Sequence, residues 1–186
     1  MAKLMYIVSA HCGKYTGLLV DHGANGGIAR ENIRIINKSR RQVLNVQGID
    51  NHQIVDIPIV TAGADIPTHC GEVIGIFHLY AYTRNGKSIH SSLQLEAFKN
   101  DVYDKSIKVN SGMQRILTAD SYVIPLSIKT GLTYLIIQPY TDKEWDTLPH
   151  VIMTADTNWI LLSLIATLMT MKSGLMPYLT YVMTLH

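Results

Sequence analysis

The sequence predicts a mainly β chain, and two observations carry that expectation. Up to Tyr140, short runs rich in β-branched and aromatic residues alternate with clusters of Gly, Asn and Asp. Helical periodicity is weak before Thr157, except across Leu93 to Asn100. Such a series of strands, punctuated by Pro and Gly, points to a closed or sandwiched β architecture.

The strands follow in order. Leu18-Leu19-Val20, Ile33 to Ile36, Val43 to Val46, Ile54 to Val60 and Val73 to Tyr82 are the first five. Asn85-Gly86 is a two-residue hairpin signal and predicts pairing of Phe77–Thr83 with Lys87–Leu93. Phe77, Tyr80 and Tyr82 fall on one of these strands and are expected to pack or to pair across strands. Tyr122 to Ile128 and Thr133 to Gln138 form a further pair around Thr130-Gly131. Boundaries are expected near Asp101 to Ser111, which is polar and turn-rich, and near Asp142 to Asp156. Beyond the second, Asn158 can cap a helix from Trp159 to about Met171 that is apolar on nearly every face.

With 186 residues the chain suits one domain, or one domain with an appendage. Charged residues are 16% of it, against about 25% in an ordinary soluble domain, while hydrophobic residues reach 47%, which excludes disorder as the main state. The net charge of +2 is too small to make nucleic acid the default partner. The charge is also unevenly spread: from Thr157 to His186 there is no Asp or Glu, and Lys172 is the only charged residue. The apolar run there, Trp159 to Met171, is shorter than the roughly 20 residues a spanning helix needs. Membrane contact through this tail therefore stays an alternative. Cys12 and Cys70 cannot make a disulfide framework, and Leu4 to Val8 is too short for a signal peptide, so an intracellular, cytoplasmic location is expected.

The chemistry centres on Leu18-Leu19-Val20-Asp21-His22-Gly23-Ala24-Asn25, where an apolar strand runs straight into an acid followed by Gly. A carboxylate held in such a turn is the kind that two facing loops use to share one proton. One acid then acts as base on a water and the other donates to a scissile carbonyl. The same residues also suit a plain turn in which Asp21 only braces a glycine-rich loop. His11-Cys12 and His69-Cys70 are of zinc-binding type, but adjacent ligands chelate poorly, so neither a metal nor any other cofactor is expected. Lys38-Ser39-Arg40-Arg41 reads as a short solvated basic turn. P-loop, Rossmann and G-x-S-x-G patterns are absent from the sequence.

Asp21-His22-Gly23-Ala24 resembles the D-T/S-G-A loop of retropepsin-type aspartic proteases. The wider run LVDHGANGGI, Leu19 to Ile28, is similar to the protease region of copia-type retrotransposon Gag-Pol polyproteins. Gln47-Gly48-Ile49-Asp50-Asn51-His52-Gln53, Asp56 to Gly63 and Ile89-His90-Ser91-Ser92-Leu93-Gln94-Leu95-Glu96 look like successive blocks of that region, the last resembling its closing L-L-S-x-x-Q-L segment. Gly112 to Pro139 resembles the segment before the integrase, and Tyr140 to Val151 a block downstream of it. The resemblance implies a retropepsin-like closed β-barrel over 1–105, a strand-rich pre-integrase-like segment over 106–156 and an apolar tail over 157–186. It also implies a homodimeric endopeptidase acting on a polypeptide substrate, with Asp21 and Gly23 in a catalytic loop that includes His22 and Ala24. Direct nucleic-acid contact is not part of that role. His22 departs from the family, whose hydroxyl at this place donates across the dimer and locks the loops. Impaired catalysis, or a non-enzymatic remnant or interaction module, follows from that exchange.

The tail departs as well, since relatives continue after the Trp159 position with an acidic segment of the form W-D-P-S-x-L-D. One nucleotide inserted after the Trp159 codon permits that reading. The genetic code then forces Asp at the Met169–Thr170 junction and Glu at Met171–Lys172. A frameshifted tail and a genuine packing helix or tail anchor are the competing expectations for 157–186.

Overall fold

The computed structural model describes residues 17–47, 53–84, 86 and 88–157, with the side chains of 40–43 outside that set. The described residues are mainly β and form one sheet that curls into a half-barrel. The first half of the chain supplies β1 (Leu18–Asp21), β2 (Ile28–Ala29), β3 (Arg34–Gln47), β4 (Gln53–Thr68), β5 (Gly71–Tyr82) and β6 (Ile89–Ser91). Helix α1 (Ser92–Ala97) follows, then β7 (Asp101–Tyr103), β8 (Arg115–Leu117), β9 (Val123–Lys129), β10 (Leu132–Leu135), α2 (Asp142–Thr147) and β11 (His150–Ile152). The strand order is β3-β4-β5-β2-β6-β1-β10-β9-β8-β7, with β11 added beside β5. Where a closed barrel is expected, β3 and β7 end the path. A strand of 3 residues offers too few ladder groups to close against one of 14.

The β9–β10 hairpin forms where the sequence places it. Thr130 and Gly131 both take positive φ, +51° and +80°, as a two-residue primed turn requires. Among the described residues, β5 and β6 do not pair with each other as the Asn85-Gly86 signal predicts. Ile28 of β2 pairs with both Ala81 of β5 and Ile89 of β6, so β2 lies between the two expected partners. A strand of two residues leaves no pattern to read, and it turns an expected hairpin into a split pair. The basic run Lys38-Ser39-Arg40-Arg41 is likewise no turn: it lies inside β3, where the β3–β4 register shifts between Lys38 and Val43. The expected helix across Leu93 to Asn100 is present as the shorter α1. Asn100 closes it by donating its amide to the Leu95 carbonyl, 2.9 Å, and to the Met153 carbonyl, 2.9 Å. The helix expected from Trp159 to Met171 lies outside the described residues. Among those described, no helix is long and apolar enough to cross a membrane.

A bulge in β5 sets the core. Val60 pairs with Tyr80 and Ala62 with Phe77, so Thr61 faces two residues, His78 and Leu79. Leu79 sits at φ +58°, a left-handed conformation that costs a branched residue roughly 1–2 kcal/mol. The extra residue changes the alternation of faces. Phe77 and Tyr80, on opposite faces of a regular strand, both become buried and their rings meet at 5.5 Å. They join a cluster that includes Leu18, Val20, Leu95, Ile116, Ile124, Leu126, Leu135 and Met153. The cluster thus draws on residues on both sides of position 105.

The Tyr80 ring also limits the loop above it. A Cβ on Gly27 would enter that ring, whereas a Cβ on Gly26 would meet nothing within 4 Å. Gly27→Ala is expected to lower unfolding stability by about 1–3 kcal/mol in urea titrations, the usual cost of overpacking, and Gly26→Ala by less than about 0.5 kcal/mol. Equal effects would show that the loop does not rest on Tyr80.

Candidate active site

Strand β1 delivers Asp21 to the site. It lies between β6, which is parallel to it, and β10, which is antiparallel. The parallel register sets Val20 against His90 and Asp21 against Ser91. The C-terminal ends of β1 and β6 therefore emerge side by side, and α1 starts at the next residue, Ser92.

The loop after Asp21 is tied down at both ends by side chains. Asp21 Oδ1 accepts the Gly23 N–H at 2.8 Å, an Asx turn that folds the loop back over the carboxylate. Ser91 Oγ donates to the Ala24 carbonyl at 2.7 Å and accepts the Gln94 N–H at 3.2 Å, so one hydroxyl caps α1 and anchors the loop. Gln94 Oε1 accepts the Gly27 N–H at 2.9 Å, and its Nε2 donates to the His78 carbonyl at 3.1 Å. The His78 N–H in turn donates to Thr154 Oγ1 at 2.7 Å, and that hydroxyl donates to the His78 carbonyl at 3.0 Å. The His78 backbone in the β5 bulge is thereby bonded from α1 and from the segment after β11.

All four residues expected in the site fall on this loop. Asp21 and Ala24 are half-buried, while His22 and Gly23 are exposed with Asn25. His22 Nδ1 lies 3.3 Å from Asp104 Oδ2, just past β7. Glu96 of α1 shares this neighbourhood: burial lifts its carboxyl above the ordinary value, His22 opposes the rise, and Asp104 and Asp101 add to it.

Beneath the loop lies His90, fully buried, with Nε2 3.2 Å from the Tyr80 hydroxyl and its ring edge-on to Phe77 at 4.9 Å between centroids. Nδ1 has no hydrogen-bond partner among the described residues. Burial alone pushes the imidazole down to about 3, so it is neutral at ordinary pH. Sequence reasoning did not place Ser91, Gln94, His90 or Tyr80 in the site. Gln94 lies 67 residues from Gly27, and no local pattern links them.

Other acids and thiols fit an active site less well. Asp65 is 1% exposed and is held inside the sheet, with Oδ2 accepting from Gln138 Nε2 at 2.7 Å. His69 and Cys70 are exposed at the β4–β5 turn, and His11 and Cys12 lie outside the described residues. Among the described residues, no group of three or more His, Cys, Asp or Glu could hold a metal ion.

Taken together, fold and site amount to a curled β sheet that presents one carboxylate at the end of a strand, on an exposed glycine loop with a buried, hydrogen-bonded base. No protein-family model matches the chain, and neither a curated protein nor a solved structure does.

The burial of His90 sets a pH dependence. Its folded value lies below the ordinary one of about 6.5, so the unfolded chain takes up the proton first as pH falls. Stability from neutral His90 is full above about pH 6.5 and is lost as pH falls toward 3, at up to about 1.4 kcal/mol per pH unit. Urea unfolding between about pH 7 and pH 4 measures the slope. His90→Gln is expected to flatten it, and an unchanged slope in that variant would assign the dependence to other groups.

Proposed function

We propose that the chain is a retropepsin-like aspartic endopeptidase from a copia-type retrotransposon polyprotein, with Asp21 as the carboxylate that each of two subunits contributes. In this reading 1–105 is the protease-like domain, 106–156 the strand-rich pre-integrase-like segment and 157–186 the apolar tail. The observation that carries it is the seating of Asp21. Its carboxylate stands at the end of β1 in a loop whose carbonyl and N–H groups at Ala24 and Gly27 are held by Ser91 and Gln94. Such a loop keeps its acid in place without rearrangement, and that preorganisation is what general acid–base work on a peptide requires.

One chain supplies one acid of this kind. Two copies related by a two-fold axis bring two Asp21 carboxylates together, and close like charges hold one proton between them. The ionised Asp21 takes a proton from a water, which attacks the scissile carbonyl. The protonated Asp21 donates to the carbonyl oxygen, and the amine leaves with a proton returned from the pair. Gly23 lets the chain turn tightly against Asp21 Oδ1, where an added Cβ would stand 3.2 Å from that oxygen.

A non-enzymatic interaction module is the second reading, and the His22–Asp104 contact favours it. The side chain at this loop position is engaged within its own chain. Cleavage of a denatured protein substrate by the full chain at about pH 5 separates the two. The protease reading expects pepstatin-sensitive cleavage that falls by at least about a hundredfold in Asp21→Asn, whose amide can neither take nor give that proton. Absence of cleavage by a verified dimer, or equal cleavage by the variant, would leave the module.

A further inference from the structure

The loop between β7 and β8 has no part in the reaction proposed above. Tyr103 pairs with Arg115 at its base, and residues 104–114 span the turn. The loop exposes Ile107 at 68%, Val109 at 52% and Met113 at 44%, and Tyr103 is exposed at its foot. These are four of the eight large apolar side chains exposed among the described residues, so this is a cluster and not the single scatter of an ordinary surface.

Internal bonds hold the loop in one shape. The Gln114 N–H donates to the Lys105 carbonyl at 3.0 Å and ties the two ends together. The Val109 N–H donates to the Ser106 carbonyl at 3.0 Å, and the Gly112 N–H to the Val109 carbonyl at 3.1 Å. Gln114 Nε2 donates to the Leu126 carbonyl at 2.8 Å, and the Leu126 N–H donates to the Gln114 carbonyl at 2.9 Å, which fixes the loop to β9. Ser111 and Gln114 take positive φ, +62° and +48°, and a Cβ on Gly112 would strike the Ser106 carbonyl. The fold thus maintains a strained backbone around side chains that it does not bury. Strain of this kind collects where a compact loop has a binding task, and a preformed loop loses little freedom on binding.

The charge of the loop decides what it can meet. From Lys105 to Ala119 there is no Asp or Glu, while Lys105, Lys108 and Arg115 are cationic. Lys105 and Lys108 are exposed beside the apolar side chains. Asp104, just before them, has its carboxylate 3.3 Å from His22 Nδ1. Aliphatic tips flanked by lysines suit a surface that is apolar beneath and anionic on top, because lysine stems can lie along the apolar layer while the ammonium groups stay in water. A second copy laid against this loop would set the same lysines against each other. Nucleic acid would set the aliphatic tips against a charged phosphate backbone.

We propose that the β7–β8 loop inserts into the surface of an anionic lipid bilayer. Ile107, Val109 and Met113 enter the boundary of the acyl layer, and Lys105 and Lys108 lie among the head groups. The contact is a surface one and needs no spanning helix.

Flotation of the full chain with phosphatidylcholine vesicles, with and without about 30% phosphatidylserine, tests this. Binding is expected to be at least about tenfold tighter with phosphatidylserine, and to fall by a similar factor in about 0.5 M salt. Ile107→Ser with Val109→Ser, and separately Lys105→Gln with Lys108→Gln, are each expected to weaken binding at least about tenfold. These side chains are exposed, so the exchanges leave the core intact. Ile136→Ser removes an exposed apolar side chain outside the loop and is expected to bind as the unaltered chain does. Because the full chain keeps residues 157–186, undiminished binding by both loop variants would assign the contact to the tail and overturn the proposal. Equal binding to the two kinds of vesicle, or none to either, would overturn it too. Self-association that Ile107→Ser abolishes, without vesicle binding, would overturn it in favour of a second copy.

Discussion

The site depends on the side-chain amide of Gln94. It is 2% exposed and bridges two backbone groups that belong to no common ladder, the Gly27 N–H of the Asp21 loop and the His78 carbonyl of the β5 bulge. A buried N–H left unpaired costs about 1–3 kcal/mol, and the Gly27 N–H depends on Gln94 in this way, whereas the His78 carbonyl also accepts from Thr154 Oγ1. The geometry of Gln94 is set in turn by Ser91, whose hydroxyl caps α1. Ser91 is placed by the parallel pairing of β1 and β6. Strand pairing, helix start and loop conformation are therefore one connected constraint, and Asp21 sits at its exposed end.

The bulge belongs to the same constraint. The left-handed Leu79 brings Tyr80 beneath Gly27 and beside His90, so the floor of the loop is aromatic and neutral. The buried His90 makes this floor sensitive to acid, because its charge is costly inside the core.

Much of the β framework was legible in the residues, for a local reason. The β9–β10 turn is written in Thr130-Gly131, and the apolar runs of β1, β4, β5 and β9 fall where β-branched residues cluster. Parallel pairs were not legible, because β1 with β6 and β2 with β5 join segments with no turn between them. The Asn85-Gly86 signal misled for that reason: its flanks are separated by two residues from elsewhere in the chain. Helix α2 could have been found, since Thr141-Asp142-Lys143-Glu144 is a capping box and both of its hydrogen bonds form. In the site, Asp21 could be read from its strand-end setting. Its supports could not, because Gln94 and His90 look like ordinary helix and strand residues until the fold brings them under the loop.

Under the proposed reading, one working site needs two chains. Isothermal titration of the full chain with pepstatin at about pH 5 tests this most directly. A site built from two Asp21 loops across a two-fold axis takes one inhibitor for every two chains. One inhibitor per chain, or no binding by a verified dimer, would contradict it.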